Sequence, residues 1–272
     1  MTYTSMQLAE AFLRTGELDD ALDVLNAHLA QSPTDSDALR LRASLHMRLG
    51  NVGQALADCH SIPTPTAEDA VLQSRLYERD GDTARALSAM RDALALAPHE
   101  ARYHERVVHL LSARGDWEGV LAVAQAQPPE WRWQQHMGDA LAHLGRDDEA
   151  RACYDAVLIA LDALIAQMVQ KGVFRAIKAR VLLARAEIAM RQARYDDASA
   201  DFSLAKRIIP DDPTIDFNLG ILKAYKGDWE GALGQCQEAY GFASDAIRAH
   251  LREEVQRTPF LHPLLAVMVD EG

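Results

Sequence analysis

Ten histidines, three cysteines and several paired acids are the residues of this 272-residue chain with the means to do chemistry. Their spacing does not assemble a catalytic set. His104 and His109 stand five residues apart, about 140° around a helix, and His136 and His143 share a face but lie roughly 10 Å apart along it. That is too far for one metal ion, and no HExxH or CxxC is present. Cys59, Cys153 and Cys236 are far apart in sequence, so a shared metal or mutual disulfides are not expected. The acidic pairs Asp19-Asp20, Asp147-Asp148, Asp196-Asp197 and Asp211-Asp212 resemble acid/base couples. They fall where helices begin, however, and carboxylates are favoured there by the helix dipole. No glycine-rich phosphate loop and no GxSxG elbow occurs. No catalytic, cofactor-binding or metal-binding residue is expected, and the chain is not read as an enzyme.

Composition narrows the class further. There are 28 Lys+Arg against 40 Asp+Glu, for a net charge of −12. This deficit of cations argues against general nucleic-acid binding, which needs basic side chains facing phosphates. Three cysteines cannot form a disulfide scaffold, so a reducing compartment is expected. The opening MTYTSMQLAEAF lacks a basic stretch followed by an apolar one, and no apolar run reaches the ~18 residues of a spanning helix. A cytoplasmic protein with no membrane partner is the expectation.

The elements that carry these residues repeat. A turn of the form GxxxxA recurs at Gly16/Ala21, Gly50/Ala55, Gly81/Ala86, Gly145/Ala150 and Gly227/Ala232, with Gly115/Val120 and Ala193/Ala198 as variants. Successive anchors are 34, 31, 34, 30, 48 and 34 residues apart. Apolar residues on either side recur at i, i+3, i+4 and i+7, which predicts two amphipathic helices per unit. Pro33, Pro98 and Pro210 each follow their anchor by 17 residues, closing the second helix. Pro63 and Pro128 arrive early, so the two short units are cut at that end.

In this register the sequence resembles the tetratricopeptide repeat family, a 34-residue helix-turn-helix with small residues at positions 8 and 20 and proline at 32. Repeats begin near Thr2, Ser36, Ala67, Ala101, Trp131, Ala179 and Pro213, which puts Ala9, Ala43, Ser74, Val108, Gly138, Ala186 and Gly220 at position 8. The sequence departs from the family in lacking Trp at position 4 and in carrying Lys223 at position 11 of the last unit. The resemblance implies an all-α fold, a right-handed α-solenoid of about seven helix-turn-helix repeats with a C-terminal capping helix. Residues 2–155 hold repeats one to five, 156–178 an extended helix of repeat five and its turn, and 179–246 repeats six and seven. The capping helix and an apolar tail occupy 247–272.

Two irregularities stand out. The 48-residue interval carries 14 extra residues, placed in AVLIALDALIAQMVQKG, where they are expected to lengthen the second helix of repeat five by four turns and end it at Gly172. Its apolar residues spread beyond one stripe, so Leu161, Leu164 and Ile165 are candidate contacts for a partner or a homodimer. The tail from Phe260 to Val269 is the other apolar segment, expected to dock on the capping helix of its own chain or on another molecule. Trp117 and Trp229 share a turn position and read as packing residues. Trp131 and Trp133 are either a surface hot spot or plugs for a shortened helix.

The resemblance also implies a groove lined by positions 2, 5, 9, 12 and 13 of each first helix. Those positions hold nine arginines, Arg14, Arg40, Arg48, Arg75, Arg79, Arg102, Arg132, Arg180 and Arg191, against seven acids, and they include Phe217 and Tyr225. Such a face suits recognition of a polar or acidic peptide; alternatively, the charges only pair with one another along it. The function expected is a non-enzymatic scaffold or adaptor for a protein or peptide partner. The alternative is an obligate regulatory or assembly subunit of a larger enzyme complex.

Overall fold

A computed structural model describes residues 4–167 and 172–268. The chain is 82% helical, and the described residues contain no strand. It divides into two compact units, residues 1–123 and 124–272. The first holds α1 (Ser5–Thr15), α2 (Leu18–Gln31), α3 (Ser36–Leu49), α4 (Val52–His60), α5 (Ala67–Arg79), α6 (Thr83–Leu96) and α7 (Ala101–Ala113). Residues of α8 (Trp117–Gln125) fall on both sides of the division. The second unit holds α9 (Trp131–His143), α10 (Asp147–Gln167), α11 (Gly172–Arg191), α12 (Tyr195–Ile208), α13 (Pro213–Tyr225), α14 (Trp229–Phe242) and α15 (Asp245–Arg257), then a 3-10 segment, Pro259–Val267.

The turn between paired helices is the same in every repeat. Gly16, Gly50, Gly81, Gly115, Gly145 and Gly227 all take φ between 70 and 89°, and Ala193 takes 55° at the seventh equivalent position. This left-handed residue lets the chain reverse while its N–H closes the preceding helix. Behind it, Ala21, Ala55, Ala86, Ala150, Ala198 and Ala232 are fully buried, because the two helices approach too closely there for a larger side chain. The acidic pairs lie in the first turns of α2, α10 and α12, and Asp212 caps α13. That is a dipole and capping role.

The 14 extra residues are shared between two helices. Ordinary second helices such as α6 and α12 have 14 residues, and α10 has 21; ordinary first helices such as α5 and α13 have 13, and α11 has 20. Each gains about two turns, roughly 10 Å. Gly172 therefore opens α11 instead of ending α10, and the boundary expected at residue 178 falls within α11. The stripe Ala150, Cys153, Tyr154, Val157, Leu158 and Leu161 is buried along α10, and Leu164 and Ile165 continue it half-buried. Leu161 is fully buried, so it offers a partner nothing, and the expectation of contact surface is corrected at that position. The longer α11 packs beside α10 and covers the extension. Among the described residues, Ile159 and Val173 are the large apolar side chains of α10 and α11 left exposed, at 73% and 72%. Residues 168–171 lie outside the described part.

The tail docks within its own unit. Leu261, Leu264 and Met268 are buried against Phe217, Tyr240, Leu251 and Val255, and Arg252 donates to the Met268 carbonyl at 2.6 Å. Val269 lies outside the described residues. Phe217 belongs to this core and is fully buried, which corrects its placement on a binding face.

Candidate functional site

Several arginines of the first helices hold repeats together. Arg40 on α3 grips Asp69 on α5 through two bonds of 2.8 and 2.9 Å and also reaches Asp37 at 2.9 Å. Asp69 is at the same time the third residue of a capping box with Thr66, accepting from its N–H at 2.8 Å and its hydroxyl at 2.9 Å. Burial pushes this carboxyl up, yet Arg40 and Thr66 outweigh the burial and hold it below the ordinary range. Arg102 on α7 reaches Glu68 on α5 at 2.5 Å, and Tyr103 donates to the same oxygen at 2.9 Å. Arg106 pairs with Glu78. In the second unit Arg191 binds Asp147 at 2.6 and 3.2 Å.

Three arginines of the first unit are left outward. Arg48, Arg75 and Arg79 are exposed, and none makes an ion pair among the described residues. Arg79 donates to the Met47 carbonyl at 2.7 Å, which holds its guanidinium against the last turn of α3, beside Arg48. Arg75 lies one turn earlier on the same face of α5. The result is a group of cations on two neighbouring first helices with no acid of their own.

The remaining candidates divide. Arg180 is exposed and without an ion pair among the described residues, and the Arg132 guanidinium lies 5.4 Å from the centre of the Trp131 ring. Tyr225 is covered: its ring stacks on Tyr195 at 5.8 Å and on Phe260 of the tail at 4.7 Å. Trp133 is buried, and Trp131 meets Phe174 edge-on at 6.3 Å, so this pair packs within the unit.

The chemistry-bearing groups stay quiet. All three cysteines are free and buried, and burial pushes the thiols of Cys59 and Cys236 up to about 12, where the thiolate is scarce. Among the described residues no group of three or more His, Cys, Asp or Glu could hold a metal ion. No described helix is long and apolar enough to cross a membrane.

Sequence reasoning missed one recurrent pair and one pocket. Arg42–Asp58 and Arg185–Asp201 occupy the same positions of repeats two and six, and only the 16-residue spacing common to both could have signalled them. Glu187 and Glu254 share a pocket in the second unit, although the capping helix lies outside the repeat register.

Models of the tetratricopeptide repeat match residues 4–45 and 183–256. No functionally curated protein matches the sequence. Among solved structures, the C-terminal part of a TPR repeat-containing protein from Cytophaga hutchinsonii aligns over 86% of this chain and 92% of its own, with 11% identity and a TM-score of 0.61. A tetratricopeptide repeat protein from Parabacteroides merdae aligns over 98% of both chains, with 15% identity and a TM-score of 0.56. MamA from Desulfovibrio magneticus aligns over 65% of this chain and 94% of its own, with 15% identity and a TM-score of 0.54. At these identities the likeness is one of fold. The repeat register, the helix pairs that follow it and the matched models converge on a chain that carries tetratricopeptide repeats.

Proposed function

We propose that the protein is a non-enzymatic scaffold that holds an acidic segment of a protein partner against α3 and α5. The observation that carries this reading is the exposure of Arg48, Arg75 and Arg79 without a counter-ion, while neighbouring arginines are committed to repeat contacts. A guanidinium presents a planar fork of donors that matches a carboxylate, and three of them on adjacent helices suit several acids along one chain. On this reading Arg40 and Arg102 shape the face and leave recognition to the other three. Partner charge is therefore the property that selects it. A cytoplasmic setting agrees with three reduced, buried cysteines.

The test is charge reversal. Changing Arg48, Arg75 and Arg79 together to Glu should weaken binding of an Asp/Glu-rich peptide by more than about tenfold, with an unchanged helical circular dichroism spectrum. Unaltered anisotropy titrations of the labelled peptide would remove this face from the account.

A second reading, a subunit contact through the α10–α11 extension, rests on the exposed Ile159 and Val173. Under it the protein is an assembly subunit or a homodimer joined there. Replacing both residues with Ser should then change the mass measured by light scattering.

A further inference from the structure

In the second unit, α11, α13, α15 and the segment after α15 wall a cavity of about 220 Å³. Two carboxylates from different helices line it, Glu187 on α11 and Glu254 on α15. Facing them are Ile221 and Tyr225 from α13 and Leu261 from the tail. Arg191 and Asn218 line it as well, so the cavity has a polar side with two acids and one base, and an apolar side opposite.

The two carboxylates lack the compensation that the protein gives its other acids. Neither makes an ion pair among the described residues. Both residues are exposed, and the nearby walls still raise them above the ordinary glutamate range, Glu187 further through the charge of Glu254. Arg191, one turn along α11, pulls Glu187 down but is already bonded to Asp147. His250, one turn before Glu254 on α15, acts in the same direction on both. The phenol of Tyr225 is itself raised by burial, so it stays neutral. A like-charged pair at an open cavity, whose one neighbouring cation is bonded elsewhere, leaves room for a ligand to supply the missing charge.

We propose that this cavity receives one arginine side chain of a protein partner, its guanidinium between Glu187 and Glu254 and its aliphatic stem against Ile221, Leu261 and Tyr225. A guanidinium has donors enough for two carboxylates at once, sheds water more readily than an ammonium and carries an apolar stem. A metal ion fits less well, because no third ligand joins the two acids in a cluster among the described residues. The site is separate from the arginines of α3 and α5 and stands or falls without them.

The test uses the full-length protein labelled with carbon-13 at glutamate carboxyls. It is titrated with a blocked Gly-Arg-Gly peptide, with its Gly-Gln-Gly counterpart and with calcium chloride. A ligand this small should bind at about 1 mM. The arginine peptide should move the Glu187 and Glu254 resonances saturably and lower both apparent pKa values, while the glutamine peptide leaves them in place. Glu187→Gln and Glu254→Gln should each weaken binding roughly tenfold, and both should fold, since an isosteric amide removes repulsion without changing shape. Equal shifts by both peptides would overturn the proposal, as would unchanged affinity in either variant. So would a response to calcium in place of the arginine peptide, and so would no saturable shift below about 10 mM.

Discussion

Arg42 holds Asp58 through two parallel hydrogen bonds of 2.9 and 2.5 Å, from the first helix of its repeat to the second. Arg185 holds Asp201 in the same register through bonds of 2.8 and 2.6 Å. Both aspartates are buried, so each arginine neutralises a charge that water no longer reaches. Arg42→Ala should therefore cost about 3 kcal/mol, since it strands Asp58. Replacing both, with Met at 42 and Leu at 58, should cost far less. Chemical denaturation of the two variants checks this, and equal losses would show that the pair contributes little beyond its packing.

Ala193 is the only described non-glycine residue with a positive φ, and it sits where six other repeats carry glycine. A Cβ in this conformation costs about 1 kcal/mol or a little more. Ala193→Gly should raise stability by roughly that amount, less the entropy that glycine adds to the unfolded chain. A fall in the melting midpoint would mean that the Ala193 methyl makes contacts worth more than the strain.

Gly220 faces Cys236 so closely that a Cβ would stand 2.5 Å from its sulfur and 3.3 Å from its backbone nitrogen. Gly220→Ala should cost about 1–3 kcal/mol through overpacking. Cys236→Ala opens space on the same side. The double variant should then be more stable than the sum of the two losses allows, by about 1 kcal/mol in a double-mutant cycle. Strict additivity would place the clash at the backbone.

Glu187 and Glu254 give stability a specific pH dependence. Their folded-state values lie above the ordinary 4.5, so in the folded protein the charged form is the disfavoured one. Glu187→Gln should raise the melting midpoint at pH 7 by about 1–3 °C, a modest gain because water still reaches the group. The gain should shrink as pH falls through the raised value and vanish below about 4.5, where both states are protonated. Scans between pH 4 and 7 that show a constant gain would mean that something other than charge sets it.

The sequence by itself determined the repeats. The GxxxxA turns mark left-handed reversals, and the apolar 3.6-residue period marks the faces that must be buried, because both are local requirements of backbone and helix geometry. Even the acidic pairs were legible, since a helix N-terminus favours carboxylates wherever the helix goes. Only the tertiary structure decided how the irregular parts were distributed. Fourteen inserted residues without a proline read as one long second helix, whereas packing of α11 along α10 divided them evenly and buried Leu161. Tertiary structure also separated arginines that look alike in sequence. Arg40 and Arg102 meet acids 29 and 34 residues away, while Arg48 and Arg75 meet none among the described residues. Long side chains find partners across helices, and the crossing of those helices is set by the whole packed unit, which no local spacing records.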